Sequence, residues 1–355
     1  MGNKGYMDAQ QLPDLLRLRG SVVAASDEFF AAKENLIKPT APVFVPDTYG
    51  AKGQVYDGWE TRRKRGPGGE LPDRAERDWV IVRLGVPGVV RSIVVDTAHF
   101  TGNYPQACSA DGCSATGYPT AEELAAESGP GQWREIVPRG LVTGDARHSF
   151  RVTSGRRLTH LRLNIFPDGG VARLHVHGEV VPDPALLAGL TIDLAALENG
   201  ADIAGRSDQF YSSPRNLISP GLSRVMGEGW ETRRRRRPGY EWLVVRLAGQ
   251  GVIQMAEIDT SWYRGNQPES ASLQIMDAPG PSSAGSLAED KAWRDLLPRT
   301  RLLPDTPHRF RVDGGPATHI RLNIFPDGGV ARLRLYGSLT DDGLATVKQR
   351  WDETA

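Results

Sequence analysis

The chain has 355 residues with 43 Lys and Arg against 43 Asp and Glu, so its formal charge at neutral pH is zero. That balance argues against nucleic acid or an anionic membrane as the main partner, because both select proteins with a net basic footprint. No apolar run approaches the roughly 18 residues that would cross a bilayer, and a length of this size suggests two domains at about 150 residues each.

In chain order, residues 1–20 lack the apolar core of a secretory signal, and Tyr6 stands where a myristoylation motif starting at Gly2 would need Ser or Thr. The string WVIVRLGV (79–86) and the string VVRSIVVD (89–96) are short and rich in Val and Ile, and Pro87-Gly88 between them reads as a tight turn joining two strands. Cys108 and Cys113 are the only cysteines, which excludes a disulfide scaffold and fits a reducing, cytoplasmic compartment. As a zinc site the pair lacks a second half. AEELAAE (121–127) has a helical pattern. LRLNI (161–165) alternates, placing Leu161, Leu163 and Ile165 on one strand face. PDGG (167–170) then reads as a hairpin turn into VARLHVHG, where Leu174 and Val176 alternate with His175 and His177 on an exposed face. The connector ALLAGLTIDLAALENG (185–200) and the tail after Asp341 carry helical patterns.

The dominant feature is self-similarity. THLRLNIFPDGGVARLHVHG (159–178) and THIRLNIFPDGGVARLRLYG (318–337) agree at 16 of 20 positions. GWETRRKR (58–65) returns as GWETRRRR (229–236), VDTAHFTGNYP (95–105) as IDTSWYRGNQP (258–268), and SDEFFAAKENLIKP (26–39) as SDQFYSSPRNLISP (207–220). The offset between copies shrinks from 181 residues at Ser26 to 159 at His160, so the first copy carries 22 net inserted residues. The sequence therefore divides into an N-terminal segment (1–20), a first repeat (21–183), a connector (184–204), a second repeat (205–340) and a C-terminal tail (341–355). Many short strands with Gly and Pro turns in each copy mean an all-β fold, with two sandwiches or jelly rolls in tandem.

The repeated GWETRR and LNIFPDGGVARLR signatures and the DTxxxxGN segment resemble the allantoicase family from about Ser21 to Leu339. The resemblance implies two tandem jelly-roll β-sandwich domains of the galactose-binding-domain-like type. It also implies cytosolic hydrolysis of allantoate to ureidoglycolate and urea in purine degradation. The alternative from a different class is a non-catalytic jelly roll that binds carbohydrate or another small ligand, since the fold alone does not fix function.

Allantoate carries a carboxylate and two ureido groups on one carbon. Its recognition calls for a guanidinium and for amide or carboxylate partners, and its cleavage calls for a general acid and base. If WETRR is extended, Glu60 and Arg62 share a face and place a carboxylate beside a guanidinium. Arg62 is the expected carboxylate clamp. At the end of the 89–96 strand, Asp96 is close enough in sequence to orient His99, which with Glu60 is the expected proton-transfer group. Asn103 would bind a ureido group. Asp168 within PDGG and Arg173 just after it are further substrate-binding candidates, with an alternative reading as a turn brace bonded across the hairpin. The second-repeat counterparts are Glu231, Arg233, Asp259, Asn266, Asp327 and Arg332, whereas Trp262 replaces His99. A divalent metal that polarises a ureido carbonyl is compatible with the chemistry but not demanded by the sequence, and the His175/His177 pair alone is a weak ligand set. His148 and His160 match His308 and His319 without a second ligand at diagnostic spacing. The basic runs RRKR and RRRRR (233–237) imitate a nucleic-acid patch but lack interleaved aromatics. The expected partner is thus a small anion, with no membrane or nucleic acid. A homo-oligomer is compatible, though no interface signature is legible.

Overall fold

The computed structural model describes residues 11–126, 131–278, 280 and 293–355. Gly2, Tyr6 and the last residue of the 121–127 helical pattern lie outside the described residues. The chain forms two compact units, one ending at Val180 and including Thr354–Ala355, the other Val181–Glu353.

The first unit is built around one long strand. Its strands are β1 (Ser21–Ala25), β2 (Tyr49–Gly50), β3 (Gly53–Gln54), β4 (Trp59–Glu60), β5 (Asp78–Asp96), β6 (Ala107–Cys113), β7 (Arg134–Leu141), β8 (Arg147–Arg151), β9 (Arg157–Phe166), β10 (Gly170–Val171) and β11 (Arg173–Val180). The first half of β5 pairs antiparallel with β1 and β9 (Val82↔Val22, Val82↔Leu161). Its second half pairs with β11 and β8 (Val95↔Leu174, Val95↔His148). The expected turn at Pro87-Gly88 is therefore corrected: β5 is continuous, and the register shift between Arg83 and Gly88 marks where one strand passes from one set of partners to another. Pro87 falls in this stretch, outside every strand register, where a missing N–H costs no ladder bond.

The two faces of β5 explain its unbroken Val/Ile run. Val80, Val82 and Val95 are buried with Leu161, Leu163, Ile165, Leu174 and Val176. Ile81 points the other way and packs with Cys113 and Leu124. Leu124 comes from helix α1 (Ala121–Ala125), started by a capping box in which Thr120 accepts from the Glu123 N–H and Glu123 accepts from the Thr120 N–H. Full burial of a leucine of this kind contributes about 1.5–3 kcal/mol.

Two other expectations change. PDGG does not close a hairpin, because β9 and β11 each pair with β5 and not with one another. The His175/His177 face is not open either. The chain segment before β1 lies along β11, so that His175 Nδ1 meets Asp14 Oδ2 at 2.9 Å and His177 Nδ1 meets the Leu12 carbonyl at 3.1 Å.

The second unit repeats this design within itself. Its 19-residue central strand, Glu241–Asp259, pairs through its first half with Asp202–Arg206 and Pro316–Phe325, and through its second half with Pro307–Arg311 and Arg332–Leu339. The connector is not helical as expected. It holds 3-10 turns at Pro184–Leu186 and Leu197–Asn199 and a short strand, Ile192–Asp193, on the edge of the second sheet. There Asp193 accepts from the Leu335 N–H, as Asp14 accepts from the Val176 N–H. The tail forms helix α2 (Asp341–Glu353), with acidic residues in its first turn and Arg350 in its last, the order that suits the helix dipole. The topology of each unit is the all-β jelly roll.

Candidate active site

Two of the repeated signatures meet in a two-stranded ribbon. Strand β4 pairs with β10, placing Glu60 opposite Gly170 and Trp59 opposite Val171. Trp59 is fully buried and donates Nε1–H to the Asp27 carbonyl, which anchors the ribbon to the entry segment. The Glu60/Gly170 end is doubly bonded: the Thr61 N–H donates to the Gly169 carbonyl, and the Gly169 N–H donates to Thr61 Oγ1. The two glycines have steric reasons. Gly169 has φ of +136°, and a Cβ there would lie 2.7 Å from the Pro105 nitrogen. A Cβ on Gly170 would lie 2.0 Å from the Phe100 ring. The third signature, the loop after β5, therefore presses directly on the ribbon, and the Gly170 N–H donates to the Asn103 carbonyl.

This packing delivers a carboxyl group to an enclosed place. Glu60 is 9% exposed, and its Oε1 accepts from Asn103 Nδ2 at 2.8 Å. Burial raises the Glu60 pKa above the usual carboxylate range, against the opposing pull of the Asn103 hydrogen bond. Asp168 sits just before β10 and accepts from the Lys64 backbone N–H at 2.6 Å. Its pKa is also raised, chiefly by burial and with help from the Asp78 charge. The Lys64 ammonium pairs with Asp78 at 3.1 Å. Arg62, on the rim, has a side chain 66% exposed that lies over the Phe29 ring at 4.6 Å and pairs with Asp27 at 3.4 Å. The result is a carboxyl group of raised proton affinity with its own hydrogen-bond donor, next to a loop carrying an accessible guanidinium.

A family model described as the allantoicase repeat matches residues 14–181 and 192–340. The chain belongs to the allantoicase family. The probable allantoicase of Nocardia farcinica is 52% identical over 333 residues, covering 93% of this chain and 95% of that protein. The probable allantoicase of Streptomyces coelicolor is 50% identical over 341 residues, covering 95% and 88%. Among solved structures, the crystal structure of allantoicase from Saccharomyces cerevisiae superposes with a TM-score of 0.73 at 34% identity, covering 92% of this chain and 93% of that one.

Within this allantoicase-family chain, the sequence-expected residues separate into two groups. Glu60 and Asn103 are bonded to each other, and Asp168 and Arg62 lie on segments adjoining the same ribbon. Glu60 and Arg62 do not share a face, because the strand ends at Glu60 and the Arg62 N–H turns to Asp27 Oδ1. Asp96 is 1% exposed and does not orient His99. Its carboxylate accepts from Arg147 Nε at 2.8 Å and from the Ala98 N–H. His99 has φ of +69°; its Nε2 meets the Pro42 carbonyl at 3.3 Å and its ring stacks on Phe44. Trp262 has φ of +74° and donates to the Ser223 carbonyl, so both side chains pin the preceding loop in the same way.

Arg173 does not bridge to Asp168. It is 1% exposed, donates to the Thr40, Asp57 and Ala172 carbonyls, and pairs with Asp57. Burial pushes the Asp57 pKa up, but the Arg173 and Lys38 hydrogen bonds outweigh it and hold it at about 2. His148 bonds loop backbone at Thr143, His308 bonds the Leu303 N–H and the carbonyl of strand residue Ile258, and the buried His160 and His319 have pKa values lowered by desolvation to about 4. Among the described residues, no three His, Cys, Asp or Glu side chains stand together as a metal site.

Sequence reasoning missed Asp27, Asp57 and Lys64. Asp27 and Asp208 were visible in the repeated SDxF string, and each accepts from the backbone N–H of the matching arginine (Arg62, Arg233).

Proposed function

We propose that this protein hydrolyses allantoate to ureidoglycolate and urea, with Glu60 as the proton-transfer group. The observation carrying this reading is the enclosed Glu60–Asn103 pair at the meeting point of the repeated signatures in an allantoicase-family chain. The exposed Arg62 guanidinium suits the substrate carboxylate, and Asn103 is a positioning residue that fixes the Glu60 carboxyl. Protonated Glu60 gives its proton to the departing ureido nitrogen as the C–N bond breaks and the electron pair leaves with urea. The lone pair of the second ureido nitrogen forms a C=N bond to the central carbon. Water then adds to that carbon, and its released proton returns to the Glu60 carboxylate. The raised Glu60 pKa supports the first step, because a carboxyl group that keeps its proton at higher pH is a more available acid.

The substrate is a small molecule, and among the described residues no helix is long and apolar enough to cross a membrane. We place the enzyme in the cytoplasm, a reading supported by two free, buried thiols at Cys108 and Cys113. The direct test is urea release from allantoate. Glu60→Gln keeps the shape and an acceptor for Asn103 but cannot cycle a proton. No urea release by the native protein would overturn the reading.

A further inference from the structure

The second unit repeats the strand pairing, hydrogen bonds and ion pairs described for the first, built wholly from its own residues, with Glu231 partly buried where Glu60 is buried. Trp230–Glu231 pairs with Gly329–Val330. Glu231 Oε1 accepts from Asn266 Nδ2 at 2.7 Å, against 2.8 Å for Glu60 and Asn103. The Thr232 N–H donates to the Gly328 carbonyl, and the Gly328 N–H donates to Thr232 Oγ1. The Gly329 N–H donates to the Asn266 carbonyl. Asp327 accepts from the Arg235 backbone N–H at 2.7 Å, and the Arg235 guanidinium pairs with Glu241 where Lys64 pairs with Asp78. Arg233 lies over Phe210 at 4.7 Å and pairs with Asp208 at 3.2 Å, as Arg62 does with Phe29 and Asp27.

Packing does not require these polar groups. A carboxylate–amide pair in an enclosed place is commonly replaceable by apolar groups of similar shape at little or no cost. The two copies have in fact diverged where only packing or loop pinning is at stake: Cys113 corresponds to Met276 against the same sheet face, and His99 corresponds to Trp262. Glu231, Asn266, Arg233 and Asp327 all persist.

We propose that each chain carries two catalytic sites for the same reaction, one per repeat, with Glu231 as the proton-transfer group of the second and Asn266 as its positioning residue. The inference rests on the role given to Glu60 above. The surroundings differ: Asn266 Nδ2 also lies 3.3 Å from Met226 Sδ, and the Glu231 N–H takes Ser212 Oγ where the Glu60 N–H takes the Ala31 carbonyl. The two sites are therefore expected to differ in KM while sharing chemistry.

The test compares Glu60→Gln, Glu231→Gln and the double variant by urea release from allantoate, with circular dichroism and thermal melts to establish folding. Each single variant should keep at least about a tenth of wild-type kcat, and the double variant should lose about 100-fold or more, the usual span for general acid–base removal. Calorimetric titration of the folded double variant with allantoate should give two molecules bound per chain. A 100-fold loss in either single variant, with the other silent or equally inactive, overturns the two-site proposal and leaves a glutamate-dependent hydrolase. One molecule bound per chain overturns it as well. Near-wild-type turnover by the double variant overturns instead the role assigned to both glutamates.

Discussion

Replacing Asn103 with Ala isolates the central interaction of the site. Glu60 is 9% exposed, and the Asn103 amide is its side-chain donor at 2.8 Å. A buried acceptor that loses its donor costs about 1–3 kcal/mol. In a folding unit of about 180 residues, the size of the first one, each kcal/mol moves Tm by roughly 2–4 °C, so the melt of that unit should fall by about 2–12 °C at neutral pH. The deficit must also depend on pH in a definite direction. Burial holds the folded-state pKa of Glu60 above its ordinary value of 4.5, and the Asn103 bond opposes that rise. A carboxyl group with a raised folded pKa binds its proton more tightly in the folded state. Its contribution to stability is complete below the unfolded pKa and is lost as pH rises through the folded pKa. Removing Asn103 raises the folded pKa further, so the variant loses more stability than the wild type over that climb. Melts recorded between pH 4 and 8 should therefore show a gap that is small at the acid end and widens toward neutrality. In the same variant the alkaline limb of kcat/KM for allantoate, set by protonated Glu60, should move to higher pH. A pH-independent gap together with an unmoved limb would refute the claim that Asn103 acts through the Glu60 charge.

The remaining expectations concern the scaffold and the thiols. Gly170→Ala places a methyl 2.0 Å from the fully buried Phe100 ring, and Gly329→Ala places one 1.9 Å from the Tyr263 ring; each should cost about 1–3 kcal/mol in urea denaturation, and unchanged midpoints would contradict the ribbon packing. Asp57→Asn removes the carboxylate from Arg173 and should destabilise by about 3 kcal/mol at neutral pH. Because the Asp57 pKa is held at about 2, below its ordinary value of 3.8, that contribution is present above 3.8 and lost as pH falls through about 2, so the difference from wild type should narrow as acid is added. Cys108 and Cys113 have their thiol pKa values pushed up to about 12 by burial, so iodoacetamide at pH 8 should label neither until denaturant is added. Rapid labelling of the native protein would show that β6, which carries both cysteines, opens.

The repeat and the all-β class were legible because they are written in local strings: matching signatures, alternating Leu161, Leu163 and Ile165, and glycines beside aspartate. Glu60 and Asn103 were legible as polar residues retained in both copies. What sequence could not supply was pairing across long separations. Trp59 finds the Asp27 carbonyl 32 residues away, and Arg173 finds Asp57 116 residues away. Asp14 meets Val176 162 residues on, which covers a histidine face that looked open from alternation alone. Nearness in sequence also misled. Asp96 and His99 are three positions apart, but the strand end turns the aspartate to Arg147 on β8, 51 residues away. Pro87-Gly88 looked like a turn because a proline usually ends a central strand; here Pro87 lies in the unpaired shift at which β5 changes partners, and Gly88 is already back in register.

The exchange of His99 for Trp262 shows how the two kinds of repeated residue can be told apart. Both residues themselves occupy a left-handed backbone position, and both bring a ring nitrogen to a carbonyl of the loop before the ribbon. Any ring with a nitrogen at that reach performs the task, so the residue type drifts while the geometry stays. Glu60 and Glu231 behave in the opposite way. Their strand pairing, made by backbone groups, would survive nearly any side chain, and the Asn partner is useful only to a group with an acceptor. A carboxyl group withdrawn from solvent is the more costly choice for packing, so its appearance in both copies, buried in the first and partly buried in the second and each time with the same amide, points to proton chemistry and not to the fold.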